Sequence, residues 1–139
     1  MDKTPYQALI KILSYGVYTR YEAENKLAAK KLFTQREINE ALSLAQKQGY
    51  INDARYAEMY VNKFEGTKGA VKIKAELKRR GVAVDLIEAA LEEKQPDIEG
   101  AIRFVQANPK KTRDQLIRAL AYRGYPYSVI SQAIKRDPA

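Results

Sequence analysis

Residues 72–91 read KIKAELKRRGVAVDLIEAAL, and residues 115–134 read QLIRALAYRGYPYSVISQAI. Laid over each other 43 residues apart, Ile73 meets Leu116, Leu77 meets Leu120, and Arg80-Gly81 meets Arg123-Gly124. Further on, Ile87, Ala90 and Leu91 meet Ile130, Ala133 and Ile134, while the short polar residues Asp85 and Ser128 coincide. Apolar agreement alone arises readily by chance. Agreement in the Arg-Gly pair, the polar residue and the apolar positions together does not. A repeat of this period restricts the chain to architectures in which one supersecondary unit is stacked on itself and touches mainly its neighbours.

The unit is helical. Apolar residues recur at spacings of three and four, as in DARYAEMYVNKFE, where Ala57, Tyr60, Val61 and Phe64 share one face. Gly81 and Gly124 follow basic residues, the pattern of a helix end where glycine turns the chain and cations oppose the negative pole of the dipole. Asp85 and Ser128 are expected to cap the helices that follow. A fainter copy, NKLAAKKLFTQREINEAL, carries Leu27, Phe33, Ile38, Ala41 and Leu42 in similar order, with Lys31-Leu32 in place of Arg-Gly. Each copy is preceded by a further helix, near 5–14, 53–65 and 97–107. The expectation is an all-α, elongated tandem array of three three-helix repeats, about nine short helices, divided at 1–52, 53–95 and 96–139.

Between the first two units lies GYINDARYA, residues 49–57. Gly49 can end one helix, Tyr50 and Ile51 can pack over the joint, and Asn52-Asp53 can cap the next helix. Tyr56 and Tyr60 fall on a face with Ala57, Val61 and Phe64 and are expected in the core. Some exposure is expected for Tyr122, Tyr125 and Tyr127 around the last Arg-Gly turn.

Composition bounds the chemistry. The chain has no Cys and no His, which removes thiolate nucleophiles and metal sites, the commonest metal ligand and the commonest general base near neutral pH. The acids lie mostly beside Lys or Arg rather than in a metal-holding cluster, so no enzyme and no metal are expected. EGTKGAV is too sparse for a phosphate loop, so neither ATP nor another cofactor is expected. No apolar run approaches the roughly 20 residues of a membrane span. The opening MDKTPYQALIKIL lacks the apolar core of a secretory signal, so a cytoplasmic protein is expected.

The formal charge of +8 favours a polyanionic partner, and it is unevenly placed. Within 68–80, Lys68, Lys72, Lys74, Lys78, Arg79 and Arg80 face only Glu76, whereas 85–93 carries four acids and no base. In the third unit Lys110, Lys111, Arg113, Arg118 and Arg123 face only Asp114. With Ile73 and Leu77 inward, Lys68, Lys72 and Arg79 fall on one outward stripe, and Arg118 and Tyr122 hold the matching stripe of unit three. These are either a repeated basic ribbon that meets phosphate or an acidic protein, or solvated helix faces. Arg80 and Arg123, beside the turns, fit a structural role; Lys68, Lys72, Arg79 and Arg118 fit binding.

Taken in order, GYINDARYAEMYV, Gly69 with Lys72-Ile73, Glu76-Leu77, Arg79-Arg80-Gly81-Val82 and Ile87-Glu88-Ala89-Ala90-Leu91 closely resemble the RecX family. The resemblance covers nearly the whole chain and is strongest over 49–91; Asn52 stands where an acid is usual. It implies three tandem three-helix repeats and a regulator of the bacterial recombinase RecA. Such proteins engage the RecA–single-stranded DNA filament, lie in its groove, and suppress ATP hydrolysis, strand exchange and repressor co-cleavage, thereby modulating recombination and repair. Direct nucleic-acid contact would then be weak or secondary, and no small-molecule substrate is implied. Two other readings stay open: an autonomous helical DNA-binding module acting without RecA, and a helical scaffold for another acidic protein.

Overall fold

The structure, a computed structural model, describes residues 4–136, and everything in those residues that is regular is helical. Nine helices follow in order: α1 (Pro5–Leu13), α2 (Arg20–Ala28), α3 (Gln35–Lys47), α4 (Asp53–Phe64), α5 (Ala70–Arg79), α6 (Val84–Glu92), α7 (Asp97–Ala107), α8 (Arg113–Tyr122) and α9 (Tyr127–Arg136). Every helix pair in extensive contact lies within α1–α3, α4–α6 or α7–α9. Each trio buries its own apolar cluster. The first centres on Leu9, Leu27, Leu42 and Ile51, the second on Tyr60, Ile73, Leu77 and Ile87, the third on Val105, Leu116, Leu120 and Ile130. The molecule is an all-α array of three three-helix units. Its accessible surface of 8988 Å² exceeds the roughly 7300 Å² that surface scaling gives for a compact monomer of this size. Three small cores in series leave more surface than one large one.

The helices start where local chemistry starts them. Thr4, Thr19, Thr34 and Thr112 each accept the N–H of the residue three positions on, and the Gln or Glu there accepts the cap's own N–H. Each of these four reciprocal boxes satisfies two amides that a helix start would otherwise leave unpaired. Asn52 caps α4 by accepting the Arg55 N–H at 3.0 Å, as the junction sequence predicts.

Two expected caps are corrected. α6 begins at Val84, one residue ahead of Asp85 and behind an extended Ala83, so Asp85 sits inside the first turn, where its charge suits the helix dipole without capping an amide. α9 begins at Tyr127, and the Pro126 carbonyl accepts the N–H of Val129 and Ile130 at 3.0 Å. Ser128 therefore also lies within its helix rather than before it. Tyr50 does not pack over the joint, being 62% exposed, while its neighbour Ile51 is buried. Tyr56 and Tyr60 are core residues as expected; of the three late tyrosines, Tyr122 and Tyr127 are exposed and Tyr125 is buried.

The Arg-Gly turns hold the left-handed conformation their glycines permit, with φ of +87° at Gly81 and +89° at Gly124. The matching turn in unit one ends on Lys31, at φ +56°. The counterpart of Arg-Gly is thus Lys30-Lys31, not Lys31-Leu32.

Candidate functional site

The units are joined through their middle helices, and the two joints are built alike. At the first, the turn after α5 meets the start of α2: buried Thr19 donates its hydroxyl to the Arg80 carbonyl at 2.6 Å. A Cβ added to Gly81 would lie 2.2 Å from the Cβ of Tyr21. At the second, the turn after α8 meets the start of α5: the Gly69 N–H donates to the Arg123 carbonyl at 2.8 Å. There a Cβ on Gly124 would lie 2.3 Å from that of Lys72. The first helical residue of the following unit completes each joint. Asp53 accepts the Arg20 N–H at 2.9 Å, and Asp97 accepts the Ala70 N–H at 3.1 Å. The end of α8 thereby abuts the start of α5, and the end of α5 abuts the start of α2. The middle helices form one spine.

That spine carries the basic residues singled out by sequence, and the structure divides them. Lys68 turns inward: its ammonium lies 2.8 and 3.0 Å from the Glu76 carboxylate and 3.9 Å from the centre of the Phe64 ring. Burial pushes the Glu76 carboxyl up, but its hydrogen bonds with Lys68 and Tyr60 outweigh this and hold it below its ordinary value. Burial, with Glu76 beside it, pushes the Tyr60 hydroxyl up to about 12. Lys72 spans the second joint, donating to the Tyr122 carbonyl at 2.8 Å with its ammonium 3.9 Å from the Tyr122 ring centre. Two residues assigned to separate stripes are thus one contact. Lys74 pairs with Glu88 at 3.4 Å on a partly exposed surface. Lys78, Arg79, Lys110, Lys111, Arg113 and Arg118 are exposed and form no ion pair among the described residues. Tyr122 is 79% exposed beside them.

Arg80 and Arg123 take the structural place expected of them. The Arg80 guanidinium donates to the Tyr56 hydroxyl at 2.6 Å and lies 4.9 Å from the Tyr60 ring centre. That of Arg123 lies 4.6 Å from the Phe104 ring centre. Among the described residues, no group of three or more metal-ligating side chains comes together, and no helix is long and apolar enough to cross a membrane.

Comparison with known proteins agrees with this architecture. Residues 52–91 match the family description "RecX, second three-helix domain". "Regulatory protein RecX" of Vibrio campbellii is 30% identical over 138 residues, spanning 92% of this chain and 88% of the relative. The chain belongs to the RecX family. The RecX regulatory protein of Legionella pneumophila is likewise 30% identical, over 94% of this chain and 92% of its own length. The crystal structure of RecX from Lactobacillus salivarius superposes with a TM-score of 0.80 at 26% identity, covering 94% of this chain and 92% of that one. A second crystal structure of a RecX regulatory protein, 23% identical with a TM-score of 0.77, shares the fold.

The joints are the part of this RecX fold that the sequence reading does not anticipate. Their partners lie far apart in the chain, such as Thr19 with Arg80 and Lys72 with Tyr122. One signal was nonetheless present: Asp53 and Asp97 open the equivalent helices α4 and α7, with Ala57 and Val61 matched by Ala101 and Val105 behind them.

Proposed function

We propose that this RecX-family chain regulates recombination by binding the RecA–single-stranded DNA filament and inhibiting its ATPase, strand-exchange and co-protease activities. The observation that carries the reading is the run of exposed cations, without ion pairs among the described residues, on and just before two consecutive middle helices of a RecX-family array: Lys78 and Arg79 on α5, then Lys110 and Lys111 ahead of α8 and Arg113 and Arg118 on it. A ribbon of this kind suits a long, regular, polyanionic assembly better than a compact ligand, because successive cations meet successive acidic groups or phosphates. Tyr122, held against Lys72, adds an exposed aromatic to the same ribbon. Lys68 is left out, since its charge is spent on Glu76. The contact is chiefly with protein, and bare DNA is held weakly.

The test is single-stranded-DNA-dependent ATP hydrolysis by RecA, titrated with this protein, alongside binding to the same bare DNA. Inhibition with weak bare-DNA binding supports the reading. The double variant Arg79→Glu, Arg118→Glu should then need on the order of tenfold more protein for the same inhibition, two lost charge contacts being enough for that factor. Unchanged hydrolysis with tight, strongly salt-dependent binding to bare DNA would replace this reading with that of an autonomous DNA-binding module.

A further inference from the structure

The two joints enclose equivalent clefts, and the differences between them define a site. The first cleft, about 210 Å³, is lined by Val17, Tyr56, Met59, Tyr60 and Arg80 among others. The second, about 240 Å³, is lined by Gly66, Thr67, Gly100, Arg103, Phe104, Arg123 and Tyr125. Counted from the start of α4 and α7, Gly100 takes the place of Tyr56, Arg103 that of Met59 and Phe104 that of Tyr60. Counted from the turn glycine, Tyr125 takes the place of Val82.

In the first cleft the Arg80 guanidinium donates to the Tyr56 hydroxyl, and the remaining cation of its lining, Lys63, lies over the Phe64 ring. The negative charge of Glu22 also lies close enough to act on Arg80. In the second cleft the exchange of tyrosine for glycine removes that acceptor. The Tyr125 ring enters from the opposite wall, its hydroxyl 2.6 Å from where a Cβ on Gly100 would stand. That hydroxyl is buried and has no hydrogen-bond partner, the one such side-chain atom among the described residues. Arg123 stacks on Phe104 with no side-chain acceptor, and the Arg103 guanidinium crosses Gly66, reaching only Gln95 at a long 3.4 Å. At the position of Glu22 stands Lys72. The nearby carboxylate, Asp97, is already engaged by the Lys94 ammonium at 2.6 Å and the Ala70 N–H. A buried donor without an acceptor is costly, as the Tyr125 hydroxyl is, and with half-buried Arg123 and exposed Arg103 beside it the cleft presents a set of donors that an oxyanion completes.

We propose that the cleft between units two and three, formed by Arg103, Arg123 and Tyr125, is a binding site for a single phosphate group. Its volume lies below the ~300 Å³ at which pockets for larger organic ligands begin, and a phosphate group falls within it. Tyr125 donates rather than accepts: burial, and then the charge of Asp97, push its hydroxyl up and keep it protonated. The first cleft lacks the site because Met59 stands in place of one guanidinium, Tyr56 occupies the other, and Val82 stands where Tyr125 supplies the unpartnered hydroxyl, although Lys63 also lines it.

The test is a two-dimensional amide NMR titration of the full chain with inorganic phosphate at constant ionic strength, chloride being the balancing anion. Saturable shifts at Gly66, Thr67 and Gly100, with Val17 of the first cleft silent, are expected. Arg103→Gln should weaken binding roughly tenfold, as loss of a charge-assisted hydrogen bond does, and Tyr125→Phe by a smaller factor with the fold intact by circular dichroism. A parallel titration with a single-stranded oligonucleotide lacking terminal phosphates separates the sources. The same saturable shifts identify the group as a backbone phosphodiester, whereas their absence assigns the site to a free phosphate or monoester. No saturable shift with phosphate, or shifts that persist unchanged in the double variant Arg103→Gln, Arg123→Gln, would overturn the proposal and leave the hydroxyl to water.

Discussion

The turn of unit one and the turn of unit two have the same shape and opposite tolerances. Both place their last residue at positive φ, Lys31 at +56° and Gly81 at +87°. Lys31 is exposed, whereas the missing Cβ of Gly81 is the space into which Tyr21 of the preceding unit fits. Glycine at this turn is therefore demanded less by the turn than by the neighbour that rests on it. The lesson extends to Gly124, whose missing Cβ admits Lys72. A left-handed lysine costs about 1–2 kcal/mol in backbone strain, which an isolated turn can bear.

The largest test of this difference is Gly81→Ala set against Lys31→Gly. Gly81→Ala adds the same strain to a steric overlap of about 1–3 kcal/mol, so a loss of about 2–5 kcal/mol is expected in urea unfolding. Lys31→Gly should change stability by less than about 1 kcal/mol, in the stabilising direction, as strain is relieved against a more flexible unfolded chain. Comparable losses from both would show that the turn, not the docking, sets the requirement.

The paired carboxylates sharpen the comparison at the next scale. Asp97 holds both the Ala70 amide and the ammonium of Lys94, whose side chain is only 4% exposed. Asp53 holds the Arg20 amide. Asp97→Asn leaves a buried ammonium short of its counter-charge and should cost about 2–3 kcal/mol, less than a fully buried pair because the Gln95 carbonyl still accepts from Lys94. Asp53→Asn keeps an acceptor for an amide and should cost about 0.5–1 kcal/mol. Thermal unfolding of the two variants side by side decides it. The smallest effect separates the two clefts: Tyr56→Phe removes the acceptor of Arg80 and should cost about 1 kcal/mol, while Tyr125→Phe in phosphate-free buffer should be neutral or slightly stabilising. A loss at Tyr125 equal to that at Tyr56 would mean that its hydroxyl has a partner after all.

The fold was largely legible because its determinants are local. Apolar spacing marked the helices, and glycine after a basic residue marked two of the turns. Faces such as Ala57–Tyr60–Val61 and Ile73–Leu77 are buried as their spacing demands. Cap positions slipped at Asp85 and Ser128 because each helix starts one or more residues ahead of its polar residue, behind Ala83 and Pro126. The basic surface was only partly legible. Charge counts cannot distinguish Lys68, which folds back onto Glu76, from Arg79, which does not, since that depends on an aromatic floor supplied by Phe64 and Tyr60. The joints were least legible. Gly81 reads from sequence as a helix stop, and only the presence of Tyr21 against it reveals a docking surface.

The order of docking has a consequence for how the chain is made. Synthesis proceeds from the N-terminus, and domains fold broadly in the order in which they leave the ribosome. The turn of unit two settles on the start of α2, and that of unit three on the start of α5, so every docking element reaches a cradle that has already been translated. Each core is assembled from neighbouring helices, which keeps its contacts short-range and its folding quick. The nascent molecule can thus be finished by accretion, with no early segment left waiting for a late one to complete its core.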